Sequence, residues 1–303
     1  MCLMSHKPMN VQGAALAVLL CLLFGSNALP IKIVLFWMPP IALAAVRFTV
    51  SILVIYTYSR IVGIELNIEK GGWRHVCILG CIFGLQFSLL HIGLDNTSVS
   101  HGAILMNTQP FNVAILAHFF LLDDRLTLRK IVGILLAFIG VVFLFSRSET
   151  GGSQTLVGDT IMIVVAFLWA SQTVYIKKHL EHWNPITVVL VPMVIGVYVM
   201  VIAHLVLERG EPVSVNPTVF AAIFYQAVIV AGFGYLAWTN LLLKYQASTL
   251  STFVFLMPVS GVVLGVLFMN DELTMSLLMG LACIVLGILV VNIKPRGAFV
   301  VPE

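Results

Sequence analysis

The 303 residues are 60% hydrophobic and only 10% charged, whereas a soluble domain carries about 25% charged residues. So thin a polar skin cannot cover one water-soluble core, which excludes a soluble enzyme or nucleic-acid-binding domain. The formal charge of +3 is too small to mark a nucleic-acid surface.

A hydrocarbon layer of about 30 Å is crossed by about 20 apolar helical residues, and the sequence supplies such stretches one after another. In chain order they cover 11–29, 40–59, 75–93, 100–120 and 127–145, then 157–176, 185–207, 218–243, 248–269 and 274–292. Runs such as IVGILLAFIGVVFLF (131–145) and MGLACIVLGILVV (279–291) lack the two-residue alternation of a barrel strand. The expected fold is therefore an all-α integral membrane protein of ten transmembrane helices. The eighth stretch is long for one crossing, which fits a tilt or an interfacial start. Lys7 precedes the first run as in a signal peptide. The run continues into FGSNALPIK (24–32) without a small-residue cleavage site, so it is expected to stay as the first span.

Charge placement orients these spans. With the N-terminus in the cytoplasm, twelve Lys and Arg fall on that side: Lys7; Arg60, Lys70 and Arg74; Arg125, Arg129 and Lys130; Lys177 and Lys178; Lys244; Lys294 and Arg296. Three, Lys32, Arg147 and Arg209, fall opposite, and Arg47 lies within the second span. This is the bias expected of cytoplasmic loops, and an even number of spans returns both termini to that side. The expected location is the cytoplasmic (inner) cell membrane, with lipid as the surrounding partner. Of the five cysteines, Cys77 and Cys81 stand one helical turn apart. No clustered histidine or carboxylate completes a metal site, so neither metal nor cofactor is expected.

An internal repeat is visible. FGSNALPIK at 24–32 matches WASQTVYIK at 169–177, an offset of 145 that also relates Pro40-Ile41 to Pro185-Ile186. QPF around Pro110 corresponds to MPV around Pro258, DDRLT (123–127) to NDELT (270–274), and Gly133 and Gly140 to Gly280 and Gly287. Two units follow, 10–147 and 156–292. Each holds five spans, so the second runs through the bilayer in the opposite sense, as in inverted-repeat secondary transporters.

These stretches, with ALAAVRF (42–48) and NTQPFNVAILAHFFLLDDRLTLRKIVG (107–133) in the first half, are similar to the EamA-like family of the drug/metabolite transporter superfamily. In the second half GYLAWTNLLLKYQASTLSTFVFLMPVSG (234–261) continues the likeness. The resemblance covers about 10–292 and implies a ten-helix carrier of amino acids, related metabolites, sugars or other small organic solutes, with many exporters among its members. It also implies a central cavity lined mainly by helices one, three, four, six, eight and nine. Phe24 stands where family members often have Trp, and the usual GERLT turn reads DDRLT and NDELT.

Polar side chains inside apolar helices are the candidates for solute contact, because an unpaired amide or imidazole is costly there. Asn27, Gln86, His91 and Asn107 are the binding candidates of the first half; Trp169, Gln172, Tyr175, Tyr235 and Trp238 are those of the second. Gln109, His118, Gln226 and Asn240 share this polar character. Trp169, Gln172 and Tyr175 recur at three-residue spacing and can share a helix face. Trp169 and Tyr235 suit shape selection, and Gln172 and Asn107 suit hydrogen bonding. The competing reading makes the amides interhelical glue and the rings packing. Pro110 and Pro258 interrupt helical hydrogen bonding at matching places, as a gate or as ordinary kinks, and the four repeat glycines suit close helix packing.

The expected function is a secondary transporter, an exporter of small polar metabolites, with proton coupling left open through His91, His118 or Asp95 since no interior carboxylate is evident. The other classes are a membrane-embedded enzyme, which would need a catalytic constellation such as HExxH or GxSxG, and a channel, which would need a repeated selectivity loop. None of these appears in the sequence.

Overall fold

The computed structural model describes residues 9–69, 71–97, 99–145, 156–260 and 275–292, and the regular elements among them are all helical. They are α1 (Val11–Leu35), α2 (Pro40–Val62) and α3 (Trp73–Asn96), α4 (99–120, in two segments) and α5 (Leu128–Phe145). Then come α6 (Leu156–His179), α7 (Pro185–Leu207), α8 (Pro217–Lys244) and α9 (Ala247–Ser260), and α10 (Met275–Asn292). Six of these, α1, α2, α3, α6, α7 and α8, are long and apolar enough to cross a membrane. The rest of the ninth expected span, 261–269, the turn at 270–273, and Cys2, Lys7, Lys70, Arg147, Lys294 and Arg296 lie outside the described residues.

The helix ends follow from local chemistry. Asn10, Asn184 and Asn216 cap α1, α7 and α8, accepting from the amides of Gly13 (2.8 Å), Ile186 (2.9 Å) and Val219 (2.9 Å), each cap stabilising by about 1 kcal/mol. Pro40, Pro185 and Pro217 stand in first turns, where a missing N–H costs nothing. Gly63 ends α2 with φ 73°, a left-handed conformation that glycine adopts without strain. Pro39 offers α2 no cap, and a distant residue serves instead. Glu208, at the end of α7, accepts from the amides of Ile41 (2.7 Å) and Ala42 (3.0 Å).

Several helices depart from regular α geometry. α1 was expected to end near residue 29, but it breaks at Asn27 and resumes as Ala28–Leu35, which leaves Pro30 harmlessly in a first turn. α4 breaks at Asn107–Thr108 and restarts at Gln109. α8 contains a wide-turned π segment, Tyr225–Gly234, which takes up the length read from the sequence as a tilt or interfacial start. α9 tightens into a 3-10 stretch at Thr252–Leu256, just before Pro258.

The body has two ends. At one, the Ser214 amide donates to the Trp37 carbonyl (2.9 Å), Lys32 Nζ donates to the Thr97 carbonyl (3.0 Å), and Thr97 bonds Asp159 (2.7 Å). An open pocket of about 270 Å³ lies there among Trp37, Pro39, Asp95 and Glu211. At the other end Tyr245 donates to Asn10 (2.9 Å), Lys177 pairs with Glu181 (2.8 Å), and His182 meets Glu69 (3.3 Å). There Asp124 joins the α4–α5 turn to α9, accepting from the Ser248 amide (2.8 Å), the Ser248 hydroxyl and Lys130 Nζ (2.5 Å).

Small residues set the helix crossings. A Cβ added to Gly133 would stand 2.7 Å from the Gly287 carbonyl oxygen, and one added to Gly140 would stand 2.6 Å from that of Gly280. α5 and α10 thus run antiparallel with backbones nearly touching, as the repeat glycines suggested. Gly80, Gly84 and Gly196 do the same between α3 and α7. Gly25 lets α1 cross α9 at the Met257 carbonyl and the Ser260 hydroxyl. Outward faces carry exposed Leu53, Val142, Leu205, Phe220 and Leu289, side chains that lipid solvates and water does not.

Candidate functional site

Buried polar side chains gather at the helix irregularities and on the regular helices α2 and α3. Pro110 lacks the N–H that would reach the Met106 carbonyl, and the break before it is covered locally. Asn107 Nδ2 donates to the Ala103 carbonyl (2.7 Å), and the Thr108 hydroxyl donates to that of Leu105 (2.6 Å). This leaves Asn107 Oδ1 buried and unpartnered. Gln109, at which the helix restarts, is buried with neither amide atom bonded. At the break in α1, Asn27 is buried with Oδ1 unpartnered. On α3, His91 Nδ1 donates to the Phe87 carbonyl of its own helix (2.7 Å), which leaves Nε2 unpartnered, and Gln86 Oε1 is likewise unpartnered. Among the described residues none of these side chains bonds another helix.

On α8 the π segment buries Gln226 completely, with both amide atoms unpartnered. The neighbouring Ala227 carbonyl accepts from the Ser51 hydroxyl of α2 (2.9 Å), tying the widened turn to that helix. Beyond it, the Tyr235 ring centroid lies 5.7 Å from Phe24, 6.1 Å from Phe48, 6.2 Å from Phe83 and 5.6 Å from Phe87. Trp238 approaches Phe24 at 5.8 Å. Rings from α1, α2, α3 and α8 thus meet at one place. Such contacts contribute about 0.5–1.5 kcal/mol each beyond area burial.

The sequence candidates therefore divide. Asn27, Gln86, His91, Asn107, Tyr235 and Trp238 lie in the buried interior or against its ring cluster. Tyr175 lies near one end, its hydroxyl 2.8 Å from His75 Nδ1 and its ring centroid 4.7 Å from that of His179. Trp169 and Gln172, half-buried on α6, lead from that end inward. His118 Nδ1 accepts from the Leu126 amide (3.3 Å) and so braces the α4–α5 turn. Ser260 bonds the Met257 carbonyl beside Pro258 (2.7 Å). Pro258 and Pro110 are both buried.

Two polar residues inside spans, which the sequence already marks but which stand outside the nine binding candidates, gain weight here. Gln226 is a polar side chain like those nine, and Arg47 is a residue that either snorkels to an interface or anchors a solute carboxylate. Gln226 carries more unsatisfied polarity than most of the nine. Arg47 is 1% exposed, with Nε and Nη1 unpartnered and its guanidinium carbon 4.8 Å from the Phe48 ring centre. The signal for both was present in the sequence as polar groups inside apolar spans. Among the described residues no group of three or more His, Cys, Asp or Glu side chains is placed to hold a metal ion.

Comparison with known proteins agrees with this architecture. A solved crystal structure superposes with a TM-score of 0.76 over 92% of this chain and 94% of its own at 18% identity, a likeness of fold. An uncharacterized transporter of Archaeoglobus fulgidus is 27% identical over 87% of this chain and 91% of its own. The Bacillus subtilis "Uncharacterized transporter YvbV" is 27% identical over 95% of this chain and 94% of its own. An Escherichia coli protein named "Probable amino-acid metabolite efflux pump" is 26% identical over 92% of this chain and 94% of its own. The model of the EamA-like transporter family matches residues 11–146 and again 156–293. With nearly the whole chain matched in two stretches, this multi-pass membrane protein belongs to the EamA-like transporter family.

Proposed function

We propose that the protein exports small polar organic metabolites, amino acids among them, across the cytoplasmic (inner) cell membrane by alternating access. The observation that carries this reading is the set of buried polar side chains that each keep at least one atom without a protein partner, Asn27, Gln86, His91, Asn107, Gln109 and Gln226. Native interiors rarely leave such atoms unbonded, and helix glue would bond them across helices. A solute that enters and leaves supplies the partner instead. The efflux-pump name of the E. coli relative supports the amino-acid assignment and the outward direction.

In this reading ten crossings form two oppositely threaded halves, 10–147 and 156–292, with both termini cytoplasmic. The first turn of α1 and the last turn of α10 share the Asp124 end, in keeping with that threading. Arg60, Arg74, Arg125, Arg129, Lys130, Lys177, Lys178 and Lys244 gather at the same end, whereas Lys32 and Arg209 lie at the other, a bias that supports a cytoplasmic Asp124 end. Pro110 and Pro258 mark where α4 and α9 bend to open one end while closing the other. Trp169 and Tyr235 shape the site, and Asn107 and Gln172 bond the solute.

Proteoliposomes test this. Saturable flux of radiolabelled amino acids, with exchange for unlabelled solute inside, is expected, and repeating it with an imposed pH gradient reads any proton coupling. Absence of saturable flux across a broad metabolite panel overturns the reading. A chemically altered product would indicate an enzyme, and a stable open conductance a channel.

A further inference from the structure

We infer that Arg47 holds the carboxylate of an organic solute whose apolar portion packs on the Tyr235 ring cluster. This deepens the transporter reading and rests on it for the route by which solute arrives. Arg47 stands seven residues past Pro40, about 10 Å along α2 from its start. Its side chain is 1% exposed, and Nε and Nη1 have no acceptor. Arginine stays protonated and cannot shed its charge to suit an apolar site. A cation held there calls for an anion.

The described protein offers none. Glu208, at the start of α2, has its carboxylate engaged by the Ile41 and Ala42 amides and by His204. Asp95 lines the pocket at that same end. Among the described residues, His91 and Tyr235 interact electrostatically with Arg47, and neither is a carboxylate. The Phe48 face, 4.8 Å away, partly shields the guanidinium without satisfying its N–H groups.

What surrounds Arg47 selects the ligand. A guanidinium presents a planar fork of donors that matches a carboxylate. The rings of Phe48, Phe83, Phe87 and Tyr235 stand within 6.2 Å of one another, centre to centre, where an apolar side portion would rest. Gln226, with both amide atoms unpartnered and next to the Ala227 carbonyl that receives Ser51, can serve a second polar group of the solute. The ligand class is thus a carboxylic or amino acid with an apolar or aromatic side portion. Its amide and its decarboxylated amine are excluded, because each leaves the guanidinium unpaired.

The full-length protein in detergent is titrated with matched probes: 3-phenylpropanoate, L-phenylalanine, L-phenylalaninamide and phenethylamine, then butanoate and butanamide. Thermal stability and tryptophan fluorescence report binding. Carboxylates are expected to bind at least about tenfold more tightly than their amide or amine counterparts, with that preference lost in Arg47→Gln. Arg47→Lys, which keeps the charge but loses the fork, retains part of it and stands in where Arg47→Gln fails to fold. Equal response to carboxylate and amide, no response to any probe, or a preference that survives in Arg47→Gln overturns the assignment. Carboxylate binding without vesicle flux would leave the anchor standing and remove the transporter. Flux of neutral solutes indifferent to Arg47→Gln would do the reverse.

Discussion

Replacing Asp124 with alanine should destabilise the protein far more than loss of an ordinary surface ion pair. The Asp124 side chain is 1% exposed and that of Lys130 is 8% exposed, with Nζ and Oδ1 2.5 Å apart. The same carboxylate accepts from the Ser248 amide at 2.8 Å and so caps the first turn of α9. Removing one member of a buried pair costs about 3–5 kcal/mol, because the partner charge is left uncompensated. Loss of the cap accounts for about 1 kcal/mol of that. The double variant Asp124→Ala/Lys130→Met removes the orphaned ammonium as well and should recover more than half of the loss. The measurement is the unfolding free energy in mild detergent for both single variants and the double variant. A loss under about 1 kcal/mol for Asp124→Ala, the range of solvated surface pairs, would refute the view that this contact joins the α4–α5 turn to α9. So would a double variant no more stable than the single.

Gln226→Leu and Gln109→Leu should each raise stability by about 1 kcal/mol, since their buried amide atoms lack partners, while transport falls; destabilisation in detergent would instead identify the amides as helix glue. Gly133→Leu and Gly287→Leu should each separate α5 from α10, because even an added Cβ meets backbone at 2.5–2.7 Å. A loss of about 1–3 kcal/mol is expected on thermal unfolding, against near-neutrality for leucine on the outward face at Val142. Pro110→Ala and Pro258→Ala should slow flux in proteoliposomes without lowering stability, because each restores a helical N–H. Cysteines placed at Arg125 and at Asn270 in a cysteine-free background should be labelled from opposite sides of sealed vesicles. Labelling from one side would overturn the inverted threading.

The parts of the fold set by local chemistry were legible in the sequence. Spans could be drawn from apolar length, their starts from Pro40, Pro185 and Pro217, and the close approach of α5 and α10 from glycines at matched repeat positions. The interruption of α4 was announced by Pro110. By contrast, YQAVIVAGFG, the π segment, contains no proline, and its two glycines, Gly232 and Gly234, stand at its far end and do not by themselves call for a wide turn. Its widened turns depend on what packs against them, including the Ser51 hydroxyl of another helix.

The candidate site shows the same division. That Asn27, His91 and Asn107 sit within spans could be read directly, as could the pairing of Tyr235 with Trp238 on one helix. The shared face of Trp169, Gln172 and Tyr175 said nothing of depth. Tyr175 bonds His75 near one end, a partner 100 positions away in the chain. Arg47 could equally have reached an interface along its stem; its burial depends on α3, α7 and α8 closing around α2. Glu208 capping α2 and Asp124 capping α9 are likewise contacts between distant segments, invisible to periodicity.

The π segment of α8 has a mechanical corollary. An i→i+5 turn holds about one residue more than the i→i+4 turn it replaces, and successive residues in an α-helix are offset by about 100° around the axis. Tightening a single wide turn would therefore swivel the distal length of α8, carrying Tyr235 and Trp238 away from Phe24, while the start of the helix stays tied through Ser214, just before it, whose amide donates to the Trp37 carbonyl. Slack stored in one rod can thus be spent as rotation, with no loop lengthening and no neighbouring helix displaced along its axis.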